Sequence, residues 1–97
     1  MSYVLSDEAE EELAHAAAFY LEQASVSVAR AFLDEFTRTA SLIVERPGLG
    51  TPVSRGRRLM PMRRFPFSVL YRVDGTEVRI SAVAHHSRRP GYWRCRA

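Results

Sequence analysis

The stretch FSVLYRVDGTEVRISAVAH, residues 67–85, sets the fold class of this 97-residue chain. In its first half every second residue is apolar, the period of a half-buried strand, and these residues are Phe67, Val69, Tyr71 and Val73. Asp74-Gly75 follows and is the strongest short signal for a two-residue hairpin turn. The second half is expected to pair back and to face the helices with Val78, Ile80, Ala82 and Ala84. The stretch therefore predicts an antiparallel hairpin with one buried face.

Two helices are expected upstream of this hairpin, after a short N-terminal strand. The opening SYVLS (2–6) alternates apolar and polar residues and suits an edge strand. Ser6 or Asp7 is a good N-cap for a first helix that runs to about Gln23, because carboxylates crowd the first turn. A second amphipathic helix covers about residues 27–45 and ends before a proline- and glycine-rich segment.

A further strand, RRLMPM (57–62), precedes the hairpin, and Pro61 favours an edge or a bulge for it. Two helices that each carry one apolar stripe are expected to pack across one face of the sheet. The sequence therefore predicts one α+β domain over residues 1–97. It consists of an N-terminal edge strand, a two-helix hairpin packed on a mostly antiparallel β-sheet, and a short C-terminal tail.

The composition limits the class of protein. The longest uninterrupted apolar run, Ala16 to Leu21, is far shorter than the ~20 residues of a membrane span, and the N-terminus lacks a signal-peptide pattern. A lone Cys95 excludes an internal disulfide and fits a reducing cytoplasm. No glycine-rich phosphate loop follows a strand. We therefore expect a cytoplasmic protein without a cofactor and without a membrane partner.

The charge is divided between the two halves of the chain. Residues 1–45 carry two arginines against nine carboxylates, a net of −7, whereas residues 46–97 carry twelve arginines against two carboxylates, a net of +10. All fourteen basic residues are arginine. An electropositive half of this kind attracts nucleic acid or an acidic protein.

Element order and three segments give the chain a resemblance to a known family. The segments RRFPFSVLYRV (63–73), VRISAVAH (78–85) and HHSRRPGYWRCR (85–96) resemble the RelE/ParE superfamily of bacterial toxins, and the Arg-Arg-Pro-x-Tyr-Trp ending is more similar to the ParE branch. The resemblance implies the toxin of a type II toxin–antitoxin system, with a role in plasmid stabilisation, which a small cognate antitoxin neutralises in a hetero-oligomer. ParE-like members poison DNA gyrase, whereas RelE-like members cleave messenger RNA in the ribosomal A site without a metal. The fold alone leaves both targets open.

A RelE-like ribonuclease is the alternative function. Cleavage of RNA without a metal needs a base, an acid and positive charge beside the phosphate, and arginine suits only the last role because it stays protonated. A carboxylate such as Glu45 could replace a histidine as the base. The residues that such an enzyme would use are His85, His86, Arg64, Arg89 and Tyr92.

We favour a toxin that acts by binding. The residues expected to contact the target or the antitoxin are Arg57, Arg58, Arg63, Arg64, Arg88, Arg89, Tyr92 and Trp93. Arg57 and Arg58 belong to the segment SRGRR (54–58), which is expected to form an exposed basic loop. The competing interpretation for Arg88 and Arg89 is a salt bridge to the acidic first helix. For the two aromatic residues it is anchoring of the tail on the sheet.

The remaining expectations concern the histidines and the antitoxin. Because neighbouring strand residues face opposite sides, His85 is expected to be structural and His86 to face solvent, and the pair cannot chelate one metal. Cys95 adds no spacing typical of a zinc site, so no metal site is expected. The antitoxin is expected to lay an extended or helical acidic segment over a groove between the helices and the sheet. The third possibility is an antitoxin-binding remnant without toxicity, or a nucleic-acid-binding module that shares the fold.

Overall fold

The computed structural model describes residues 2–96 as a two-layer arrangement of helices on a sheet. The elements in chain order are β1 (Ser2–Leu5), α1 (Asp7–Gln23), α2 (Val26–Glu45), β2 (Thr51–Pro52), a 3₁₀ turn (Ser54–Gly56), β3 (Arg58–Pro61), β4 (Phe67–Asp74) and β5 (Glu77–His85). Residues 86–96 form the tail. No helix in this part of the chain is long and apolar enough to cross a membrane.

The five strands form one sheet in the order β1-β5-β4-β3-β2. β1 lies at an edge and pairs with β5 in parallel, whereas every other pair is antiparallel. The predicted α+β class, the edge position of the first strand and the mostly antiparallel sheet are confirmed. The sequence did not predict β2, because a two-residue strand that contains a proline is too short to show a period.

Serine side chains begin both helices. The Ser6 hydroxyl accepts the N–H of Ala9 at 3.2 Å and so caps α1, as predicted. The Ser25 hydroxyl accepts the N–H of Val28 at 3.1 Å, so α2 begins at Val26, one residue before the predicted start. Both helices then bury their apolar stripes against the same face of the sheet.

The alternation of β5 reverses at Ser81. Tyr71 pairs with Ile80, but its neighbour Leu70 pairs with Ala82, so Ser81 is an extra residue in β5 and forms a bulge. Val78 and Ile80 therefore face the helices, as predicted, while Val83 does so after the bulge. The prediction that Ala82 and Ala84 face the helices is wrong. Both lie on the opposite face, which we call the outer face.

The helix-facing core is rich in aromatic rings. Phe32 of α2 lies 5.1 Å from Phe67 of β4 and 5.3 Å from Phe65, measured between ring centroids, and Tyr20 of α1 lies 5.2 Å from Phe65. Aromatic pairs at these separations stabilise a core beyond the area that they bury. This cluster fixes the start of β4, and with it the turn that leads into the strand.

Tyr71 ties the loop after α2 to the sheet. Its hydroxyl donates to the carbonyl of Pro47 at 2.7 Å and accepts the N–H of Gly50 at 2.9 Å. The backbone must approach the ring closely to make these bonds. A Cβ atom at Gly50 would lie 2.8 Å from the Tyr71 hydroxyl and 2.9 Å from Cβ of Arg58. Only glycine fits at this position.

We predict that Gly50→Ala lowers the free energy of unfolding by about 1–3 kcal/mol, because the added methyl group overpacks this site. Gly48→Ala is the matched control, since a Cβ there meets no atom within 4 Å. The measurement is urea denaturation of both variants. Equal stability of the two variants would contradict the predicted close approach.

Candidate functional site: the C-terminal tail

The tail folds back over the outer face of the sheet. Trp93 is buried there and packs against Leu70, Ala82 and Ala84. Hydrogen bonds between backbone groups close in sequence coil the tail. One of them joins the Tyr92 N–H to the Arg89 carbonyl at 3.2 Å. The small alanine side chains leave room for the indole, so the reversal at Ser81 creates the surface on which the tail rests.

Glu12 of α1 holds the tail from the other side. Its carboxylate accepts the Tyr92 hydroxyl at 2.5 Å, two Arg96 N–H groups at 2.8 and 3.1 Å, and the N–H of Val83 at 3.0 Å. Burial alone would raise the pKa of Glu12, but the bonds from Arg96, Tyr92 and Val83 together keep this pKa below its ordinary value. The carboxylate is therefore charged at neutral pH.

The contact with Glu12 also changes the pKa of Tyr92. Burial and the neighbouring Glu12 carboxylate raise the pKa of Tyr92 to about 12, so the phenol stays protonated at neutral pH. Tyr92 and Trp93 thus anchor the tail, as one of the two sequence interpretations expected. Neither Glu12 nor Arg96 was predicted. Glu12 is one of several glutamates in the first helical turns, and nothing local distinguishes it.

Arg57 contradicts the expectation of an exposed basic loop, because its side chain is only 1% exposed. Its guanidinium lies 5.2 Å from the centre of the Trp93 ring and donates to carbonyls of the tail. Burial lowers the pKa of Arg57, and the charges of Arg55 and Arg72 lower it further. Arg57 therefore presents no surface to a partner in this structure.

The two histidines lie on opposite sides of the sheet. The His85 ring packs edge-on against Phe67, with centroids 4.9 Å apart, and its Nδ1 accepts the N–H of Ser87 at 3.0 Å. His86 is exposed, and its Nε2 lies 2.9 Å from the hydroxyl of Ser68. Phe67 belongs to the helix-facing core, so the two rings do not converge. Residues 2–96 contain no cluster of three potential metal ligands.

Arg88 and Arg89 are exposed at the start of the tail. The Arg88 guanidinium stacks on Tyr92, 3.9 Å from the ring centre. Within the described chain neither arginine forms an ion pair, and the salt bridge to α1 is made by Arg96 instead. Both arginines line a cavity of about 300 Å³ whose floor includes Trp93 and Leu59.

The other predicted arginines divide into two groups. Arg63 and Arg64 are exposed in the turn before β4, and the bond from His86 N–H to the Pro66 carbonyl, 2.8 Å, joins this turn to the start of the tail. Arg58 lies at the other end of β3 and donates to the carbonyl of Gly50 at 2.8 Å. A backbone bond thus joins the turn that carries Arg63 and Arg64 to the start of the tail, whereas Arg58 lies at the opposite end of β3.

Glu45, the alternative base, also lies apart from the histidines. It is the last residue of α2, next to the loop that Tyr71 binds, whereas the histidines follow the far end of β5. Glu45 is therefore not assembled with the histidines, whereas His85, His86, Arg89 and Tyr92 all line the cavity beside Trp93.

Glu35 of α2 positions the turn that carries Arg63 and Arg64. Its carboxylate accepts the backbone N–H of Arg63 at 3.0 Å and two N–H groups of Arg38 at 2.7 and 2.9 Å. The Arg38 bonds, aided by Arg63, lower the pKa of Glu35 to about 2. A carboxyl with a lowered pKa stabilises the fold above its unfolded pKa, and the contribution is lost as the pH falls toward the folded value.

We predict that Glu35→Gln lowers the free energy of unfolding at pH 7 by about 1–3 kcal/mol, a range kept modest because Arg38 is partly exposed. The difference from the unchanged protein should shrink between pH 4.5 and pH 2, where Glu35 becomes protonated in the unfolded and then in the folded chain. Urea denaturation across this range measures it. Glu11→Gln, at an exposed position, is the control, and a pH-independent difference would contradict the prediction.

Comparison with known proteins places the chain in a family. The sequence model of the ParE toxin of the type II toxin–antitoxin system parDE matches residues 3–90. A chain of the solved chromosomal ParDE toxin–antitoxin system from P. aeruginosa has the same fold, with a TM-score of 0.77 and 24% identity over 88% of this chain and 95% of that chain. No curated protein matches the sequence. The chain belongs to the ParE toxin family of type II toxin–antitoxin systems.

Proposed function

We propose that this toxin inhibits DNA gyrase by binding it and that a cognate antitoxin neutralises the toxin in a hetero-oligomeric complex. The observation that supports the binding mechanism is how the candidate acid–base groups are held, although His85, His86, Arg89 and Tyr92 line one cavity. His85 and His86 lie on opposite sides of the sheet, and Tyr92 is held by Glu12.

Tyr92 is poorly suited to act as a general acid. An acid works best when its pKa lies near the working pH, and the pKa of Tyr92 is raised to about 12. Its hydrogen already bonds to Glu12. The same bond suits a binding role, because it fixes the ring on which Arg88 stacks.

The surface that we propose for the target consists of Arg63, Arg64, Arg88 and Arg89, together with the cavity beside Trp93. These side chains are exposed, and two of them, Arg88 and Arg89, line the cavity with the apolar floor. Positive charge steers an acidic partner and fixes its orientation, while an apolar pocket contributes to affinity. An acidic surface of gyrase that carries a projecting apolar side chain fits this arrangement. The choice of gyrase follows from the ParE-like resemblance.

We predict that inducing the toxin without its antitoxin stops DNA synthesis first, as measured by pulse-labelling of DNA, RNA and protein. Arg88→Ala with Arg89→Ala should raise the concentration that inhibits gyrase supercoiling by about tenfold or more, because two contacts to an acidic partner are lost. His85→Ala with His86→Ala should leave the inhibition within about twofold.

Arg30→Ala with Arg46→Ala is the charge-matched control, since both arginines are exposed on or beside α2. Collapse of protein synthesis before DNA synthesis, together with loss of toxicity in the histidine variant, would favour the ribosome-dependent ribonuclease. Salt-sensitive binding of the toxin alone to duplex DNA or RNA would favour a nucleic-acid-binding module.

The antitoxin is proposed to bind a groove between α1, α2 and β1. This apolar groove encloses about 860 Å³, and its lining includes Leu13, Ala17, Leu33 and Phe36. Its one charged lining residue is Glu10, so the groove suits the apolar face of a helix rather than an acidic segment.

We predict that Leu33→Glu abolishes copurification of the toxin with its antitoxin, because a charge would be buried in the apolar groove. Inhibition of gyrase by the variant should be unchanged. Val73→Glu is the matched control, since Val73 is similarly exposed but lies on β4 outside the groove. Unimpaired copurification of the Leu33 variant would place the antitoxin elsewhere.

A further inference from the structure

Arg57 is a buried charge for which residues 2–96 provide no acidic partner. Its side chain is 1% exposed, and no carboxylate within residues 2–96 forms a salt bridge with it. A buried cation is costly unless hydrogen bonds replace its lost hydration. The oxygens that provide these bonds show what the residue holds in place.

Those oxygens come from the 3₁₀ turn and from the tail. Nε donates to the Ser54 carbonyl at 3.2 Å, and Nη2 donates to the Ser54 hydroxyl at 3.4 Å and the Arg94 carbonyl at 3.0 Å. Nη1 donates to the carbonyls of Trp93 and Arg96 at 3.3 and 3.0 Å. All five N–H groups of the guanidinium are thus used. Lysine has three donors on a single nitrogen and cannot reproduce this planar set.

The bonds fix the backbone of the tail at Trp93 and just after it. Three tail carbonyls converge on Arg57 while Trp93 fills the outer face beneath them. Tyr92, the neighbour of Trp93, carries the stacked Arg88 guanidinium. A shift of the tail backbone would therefore move the aromatic ring on which Arg88 rests.

We propose that Arg57 is a positioning residue of the toxin: by binding the carbonyls of residues 93, 94 and 96 it holds the tail so that Arg88 and Arg89 face the target. This inference rests on the proposed function in one respect, the contact of Arg88 and Arg89 with the target. Arg57 itself does not reach the target. Its role differs from that of Glu12, which holds side chains of the tail rather than its backbone.

The test uses the full-length toxin and the Arg57→Lys and Arg57→Met variants. Lysine keeps the positive charge but loses the planar set of five donors, whereas methionine removes the buried charge and keeps much of the side-chain volume. Cys95 is exposed in the tail and is the one cysteine of the sequence, so a spin label attached there reports tail mobility directly. Binding to the antitoxin verifies that each variant is folded, because the groove proposed for it lies on the helices.

We expect both variants to mobilise the label at Cys95 and to require about tenfold more toxin to inhibit gyrase supercoiling. Antitoxin binding should stay within about twofold. Ile43→Val is the stability control: it removes one methylene from the helix-facing core, and it should change neither label mobility nor inhibition. If Arg57 only stabilised the fold, Ile43→Val and Arg57→Lys proteins of equal stability would show the same label mobility and the same inhibition of gyrase.

Three results would overturn the proposal: an immobile label in both Arg57 variants, a mobile label with full inhibition of gyrase, or loss of antitoxin binding in both variants. Failure of the proposed function looks different. If the Arg88→Ala, Arg89→Ala protein inhibited gyrase fully, these two arginines would not contact the target, and the proposed function would be wrong on that point. The mobility of the label is measured on the toxin alone, so it would still decide whether Arg57 holds the tail.

Discussion

One extra residue in β5 determines where the second half of that strand buries its side chains. After Ser81 the small residues Ala82 and Ala84 face outward and Val83 faces the helices. A bulge leaves ladder groups unpaired, and here side chains bind two backbone groups at or near it. Arg96 donates to the Ser81 carbonyl at 3.2 Å, and Glu12 accepts the N–H of Val83, which lies beyond the part of β5 that pairs with β1. The bulge therefore creates both the surface for the tail and part of its attachment.

The division of charge along the sequence is partly resolved within the fold. Arg96 of the basic half forms a salt bridge with Glu12 of the acidic half. Arg57 is buried. The net charge of residues 46–97 is thus larger than the positive charge that is exposed to a partner. Four exposed arginines of the second half lie in the turn before β4 and at the start of the tail, and these four form the proposed target surface: Arg63, Arg64, Arg88 and Arg89.

Elements set by local pattern could be predicted from the sequence. Both helices have serine caps and an apolar stripe, and Asp74-Gly75 marks the hairpin, so their positions followed from neighbouring residues. The sequence could not predict which face of the sheet Ala82 lies on. A bulge depends on the partner strand, and the apolar pattern of β5 is plausible in either register. Arg57 was misjudged for a related reason: its acceptors lie 36 to 39 residues further along the chain. An arginine in a polar segment looks exposed until such acceptors are known.

Three contacts in the structure use properties that arginine has and lysine lacks. Arg57 needs five donors in one plane, Arg96 bonds both oxygens of Glu12, and Arg88 lays a flat cation on an aromatic ring. Lysine, a compact and strongly hydrated point charge, reproduces none of the three. A guanidinium that stays protonated can hold a carbonyl or a carboxylate but cannot exchange a proton near neutral pH. A tail assembled from such groups is suited to fixing a shape and a charge, which is what recognition of an acidic protein surface requires.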